Sequence, residues 1–131
     1  MIVDSSAIIA ILLGEPEAVA FATRLDAADS LCISAATFVE LSIVIDARKV
    51  PALSNQIEEI IERYDIDIEY VTAEQARIAR QAYRDFGKGS GSPAQLNFGD
   101  CFSYALARVK REPLLFKGDD FVHTDVRPAV P

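Results

Sequence analysis

Four acidic positions stand out for their settings. Asp4 closes the opening run "MIVD", Glu40 interrupts the apolar "TFVELSIVI", Asp100 sits in "NFGDCFSYALARVK", and Asp119 follows "PLLFKG". Carboxylates brought to one place repel one another, and the usual resolution is a hard divalent cation with oxygen ligands, Mg²⁺ or Mn²⁺. Such ions neutralise phosphate oxygens and lower the pKa of a bound water, which is the chemistry of phosphodiester hydrolysis. The single histidine, His123, and two well-separated cysteines, Cys32 and Cys101, supply no zinc-type ligand set.

Each acid also has a local explanation when taken alone. Asp4 can cap a helix starting at Ser5. Asn97 can cap another, with Asp100 at its third position, where a carboxylate reaches back to free N–H groups and opposes the helix dipole. Glu40 can lie at the surface, and the "GDD" of Asp119 and Asp120 reads as a solvated turn. Only convergence of the acids in space favours the metal reading over these.

The elements that must position them alternate short apolar runs with longer helical patterns, which predicts an α/β domain with a mainly parallel sheet. "MIVD" is a first strand running into a helix, "SSAIIAILLGE", which Gly14 and Pro16 break before "PEAVAFATRLDAA". "LCIS" is a buried strand, with Ser34 placed to cap "AATFVELSIVIDARK". Pro51 opens a helix whose Ile57, Ile60 and Ile61 share a face, and "IEYV" is the next strand. Thr72 caps "AEQARIARQAYRDF", which Gly87 ends, and "GKGSGSPAQLN" is expected to be a mobile loop. A helix from Phe98 follows, then the strand "PLLF", a turn, and a final edge strand "HTDV". In an open parallel sheet, ligands bind beyond the carboxyl ends of the strands, so Asp4 and Asp119 fall at one edge.

The chain has 131 residues, half of them apolar, enough for one domain (1–131) to bury a core without disulfides or structural metal. A net charge of −7 argues against holding nucleic acid by charge alone, so cations must help if the substrate is a polyanion. Two lone cysteines suit a reducing, cytoplasmic setting. The apolar run Ala7 to Leu13 is seven residues long and flanked by Asp4, Glu15 and Glu17, so neither a leader nor a membrane span is expected. Arg77, Arg80 and Arg84 read as a solvated helix face, and Lys88 and Lys117 as better candidates for touching a substrate's phosphates.

Together, "MIVDSSAIIAILLGEPEA", "FVEL", "LNFGDCFSYALA" and "PLLFKGDDF" resemble the PIN-domain ribonucleases of the VapC toxin type over nearly the whole chain. The resemblance implies a three-layer α/β/α sandwich, homodimerisation, a separate cognate antitoxin protein and Mg²⁺- or Mn²⁺-dependent endoribonuclease activity. By it, Asp4, Glu40 and Asp100 match the family's metal-site acids. Its fourth acid falls on Asp119, preceded by Gly118, with Asp120 the contender because Phe121 follows one residue sooner than is commonest. Two other readings remain open. A doubly wound metal-dependent phosphatase would need a D-x-D pair, and here Ser6 replaces the second acid. A non-catalytic module would use the acidic edge to bind a basic partner.

Overall fold

The computed structural model describes residues 1–130. Ten elements alternate along the chain: β1 (Ile2–Val3), α1 (Ser5–Leu12), α2 (Ala18–Ala27), β2 (Leu31–Ser34), α3 (Ala35–Asp46), α4 (Pro51–Arg63), β3 (Ile66–Glu69), α5 (Ala73–Phe86), α6 (Phe98–Lys110) and β4 (Leu114–Leu115). The strands pair in parallel in the order β3-β2-β1-β4. Strand order reverses at β1, whose neighbours lead off in opposite directions, and the crevice beside such a strand is where open α/β sheets bind ligands.

The pleat sorts the core into two layers. Val3 and Ile33 face α1 to α4, where Ile8, Phe21, Leu41, Ile45 and Ile60 pack. Ile2, Cys32 and Leu114 face α5 and α6 and meet Ala79, Ala82, Leu96, Tyr104 and Leu106. This is the expected three-layer α/β/α sandwich. Strands of two to four residues suffice because β1, β2 and β4 are covered on both faces, and every residue in them is buried.

Three local expectations differ from what the chain does. The third strand is Ile66–Glu69 instead of "IEYV", because pairing with Leu31–Ser34 requires buried Ile66 at its start and leaves Tyr70 and Val71 exposed. "HTDV" is not a strand. Phe121–His123 forms a 3₁₀ turn anchored by buried Phe121, and it is Pro128 that bridges to Leu114 further on. The segment from Gly87 to Asn97 is not a free loop either. Lys88 N–H donates to the Leu96 carbonyl at 3.0 Å, Leu96 N–H to the Phe86 carbonyl at 2.8 Å, and Ala94 and Leu96 are fully buried. Its glycines supply positive φ at Gly89 and Gly91, so they shape a defined turn.

Candidate active site

The end of β1 delivers Asp4 into the crevice at 2 % exposure. Its Oδ2 accepts the Ser6 N–H at 3.0 Å, which makes Asp4 the N-cap of α1, and the Ser6 hydroxyl at 2.6 Å. Ser6 Oγ in turn accepts the Lys117 N–H at 3.0 Å, tying this strand end to the segment leaving β4. The other oxygen, Oδ1, accepts the Ser103 hydroxyl of α6 at 2.6 Å. Capping and convergence are both true of this residue.

Asp100 likewise serves two ends. Its Oδ2 accepts the Asn97 N–H at 3.0 Å while Asn97 Oδ1 accepts the Asp100 N–H at 2.9 Å, a complete capping box at the start of α6. The same helix start carries the carboxyl into the crevice. Burial pushes its pKa up to about 7 against the pull of the Asn97 N–H, and the charges of Asp4, Asp120 and Glu40 add to the rise. Asp120 is therefore the acid of the "GDD" turn that acts on Asp100. Asp119 and Asp120 are both exposed on the turn, and the Asp119 carbonyl accepts the Val122 N–H.

Glu40 departs from the surface position that it could have taken. It is half-buried, its Oε1 accepts the Ser5 hydroxyl at 2.8 Å, and burial, followed by repulsion from Asp4, raises its pKa against that hydrogen bond. Its carboxylate lies directly on the backbone of Gly99, where a Cβ would overlap it. Gly99 is thus a site residue that spacing did not reveal; the signal was a glycine in the first turn of an otherwise well-formed helix, where it costs stability.

None of Asp4, Glu40 and Asp100 takes part in the ion pairs of the described residues, which bind Glu15, Glu17, Glu69, Glu112 and Asp125 instead. Lys117, expected to face phosphate, is engaged by Glu15 and lies 3.3 Å from Glu17. Lys88 is exposed on its turn. The carboxylates are not drawn so close that three oxygens fall within 4.8 Å of one another; the group that meets this spacing is Cys32, Asp67 and Glu69 on β2 and β3. There the Lys110 ammonium already sits 2.7 Å from Glu69, so that group is charge-compensated. The crevice is not. An all-oxygen donor set with uncompensated charge, beside the partnerless buried Ser34 Oγ at the neighbouring strand end, fits a hard divalent ion. Cys101 is excluded as a nucleophile, because burial and then Asp100 push its thiol up to about 11.

The PIN domain family model matches residues 1–127. The chain is 55 % identical over 130 residues to Ribonuclease VapC28 of Mycobacterium tuberculosis, covering 99 % of this chain and 98 % of that one. The chain belongs to the PIN-domain VapC ribonuclease family. Ribonuclease VapC42 of the same organism is 51 % identical over 129 residues, covering 98 % of both chains. Among solved structures, M. tuberculosis VapC20, described as a sarcin-ricin loop cleaving toxin, superposes with a TM-score of 0.72 at 20 % identity, over 97 % of this chain and 98 % of that one. A toxin–antitoxin complex from Klebsiella pneumoniae gives 0.69 at 17 % identity, over 95 % of this chain and 92 % of that one. At these identities the two structures speak for the PIN fold alone.

Two outcomes follow from the geometry. Because the folded pKa of Asp100 is raised from 3.8 to about 7, the folded state binds more protons than the unfolded chain between those values. Metal-free stability should therefore fall as pH rises from about 4 to about 7 and then level off, as linkage requires. Urea melts in EDTA should show this slope flattened in Asp100→Asn. Gly99→Ala should displace the Glu40 carboxylate while adding a better helix former, so the melting temperature stays within a few degrees of the parent. Ribonuclease activity should drop by roughly tenfold or more; unchanged activity would remove Glu40's seat on Gly99 from the working site.

Proposed function

We propose that the chain, a single PIN domain over residues 1–131, is a metal-dependent endoribonuclease and the toxin of a toxin–antitoxin pair. The observation that carries the reading is the meeting of Asp4, Glu40 and Asp100 at the strand-order reversal, buried or half-buried and unpaired with any cation of the protein. Family membership supports the same chemistry, since the relatives above are named ribonucleases. Asp4 and Asp100 would hold Mg²⁺ or Mn²⁺, with the fourth carboxylate supplied by Asp119 or Asp120. The charge of Asp120 acts on Asp100, which favours Asp120.

Bound there, the ion supplies charge neutralisation at the phosphate and a water of lowered pKa. The protein's own part is positional. Ser6 and Ser103 hold Asp4, Asn97 holds Asp100, and Ser5 holds Glu40 where its raised pKa suits it to accept a proton from a water. The phosphatase reading is weakened because Ser6, at the place of a second acid, spends its hydroxyl on Asp4. A cognate antitoxin with a basic side chain would complement the uncompensated crevice. No helix among the described residues is long and apolar enough to cross a membrane, and together with two buried free thiols this supports a cytoplasmic location.

Homodimerisation is supported by large apolar side chains left exposed on the helices, among them Val39 and Ile43 of α3, Tyr83 of α5 and Phe98 of α6, the last at 77 %. A second copy of the chain packed against these helices would take such side chains out of water. Light scattering should return twice the 14.3 kDa of the chain; a mass of one chain across the whole concentration range would remove the dimer.

Cleavage of RNA in Mg²⁺ or Mn²⁺, abolished by EDTA, tests the enzyme against a non-catalytic acidic module. Asp4→Asn sharpens it. Asparagine caps a helix about as well as aspartate, and the Ser103 hydroxyl can turn to accept its amide N–H while donating to Thr37. The metal-free variant should melt at or above the parent temperature, gain less from Mn²⁺, and lose activity by on the order of a hundredfold or more. Retained activity and retained metal stabilisation would leave Asp4 a cap and nothing else.

A further inference from the structure

The hydroxyl groups around Asp4 form a chain whose direction can be worked out. Lys117 N–H can only donate, so Ser6 Oγ accepts from it and its own proton is free for Asp4 Oδ2, 2.6 Å away. Ser103 Oγ lies 2.6 Å from Asp4 Oδ1, and an ionised carboxylate can only accept, so the Ser103 proton is committed there. Thr37 Oγ1, 3.2 Å from Ser103 Oγ, must then be the donor of that pair. Thr37 and Ser103 are both fully buried, and the sequence carries them 66 residues apart. Hydrogen bonds in series of this kind, shielded from water, polarise one another in one direction.

Counting lone pairs gives the consequence. An ionised carboxylate offers about four acceptor positions, two on each oxygen. Oδ2 uses both of its positions, on the Ser6 N–H and the Ser6 hydroxyl, and Oδ1 uses one, on Ser103. Only one position, on Oδ1, stays open.

We propose that Ser103, backed by Thr37, is a positioning residue that fixes the rotation of the Asp4 carboxylate and aims the single open lone pair of Oδ1 into the crevice, so that Asp4 takes a divalent ion through one oxygen. The proposal rests on the metal-dependent reading above and deepens it. Without the Ser103 hydroxyl, Oδ1 has two open positions and nothing on its side to set the torsion of the carboxylate. Outer partners of this kind typically change metal affinity by roughly 10- to 100-fold when removed.

Calorimetric titration of the full chain with Mn²⁺, in the absence of RNA, tests this directly. Ser103→Ala should weaken the Mn²⁺ dissociation constant by roughly tenfold or more. Ser103→Thr, which keeps the hydroxyl, should recover most of the affinity. Thr37→Val, which deletes the upstream donor while keeping the shape, should weaken binding in the same direction by less, and the Thr37→Val/Ser103→Ala pair should be no weaker than Ser103→Ala alone. A purely structural serine would lower the metal-free melting temperature and leave the dissociation constant where it was; that result overturns the proposal. Should Ser103→Ala fail to fold, Thr37→Val decides by the same measurement, a weakened constant supporting the proposal and an unchanged one overturning it. The two readings separate at the parent protein. Absent Mn²⁺ binding there defeats the metal-dependent reading and this proposal together, whereas tight parental binding that Ser103→Ala leaves intact defeats this proposal alone.

Discussion

Gathering negative charge at one end of a four-stranded sheet, without a basic residue to neutralise it, is the constraint around which the rest of this molecule is arranged. Like charges separate unless something holds them, and each acid here is held by neutral groups. Asp4 has Ser6 and Ser103, Asp100 has Asn97, and Glu40 has Ser5 and the bare face of Gly99. Neutral donors do this without cancelling the charge. A lysine in the crevice would have cancelled that charge and stabilised the fold.

The tethers work because they come from elements that the two core layers lock together. β1 is hydrogen-bonded on both sides, α1 leaves it directly, and α6 crosses over it with Leu106 and Ala105 fully buried. Ser103 reaches Asp4 only because α6 is pressed onto the sheet, and Thr37 reaches Ser103 only because α3 packs beside α6. The last segment is pinned back on the same layer, where Asp125 accepts the Tyr104 hydroxyl at 2.6 Å and the Arg108 guanidinium at 2.9 Å. These contacts tie the segment that follows the Asp119–Asp120 turn to α6.

Charge elsewhere is balanced in pairs, which sharpens the contrast. Lys117, whose backbone N–H reaches Ser6 beside Asp4, has its ammonium engaged by Glu15 and Glu17, and Lys110 pairs with Glu69. Exposed pairs of this sort add little stability. Their effect here is to leave the carboxylate crevice negative.

Periodicity and punctuation carried the fold class, because a parallel sheet buried on both faces is written as short apolar runs between amphipathic helices. The same local signals placed Asp4 and Asp100 at helix starts, since capping is decided within three residues, and Glu40 was conspicuous as a charge in an apolar stretch. Everything that depends on residues far apart in the chain waited for the tertiary structure. The Ser103 hydroxyl lies 99 residues from the aspartate it holds, and the Glu40 seat on Gly99 requires α3 and α6 to meet. Lys117 looked available because its partners Glu15 and Glu17 are remote in sequence. "HTDV" looked like a strand because the pull of buried Phe121 on the preceding turn is a packing effect, as is the burial of Ala94 and Leu96 within a glycine-rich segment. Local chemistry fixes which residues can begin a helix or line a strand; only packing decides which of them share a crevice, because side-chain contact is a property of distance in space.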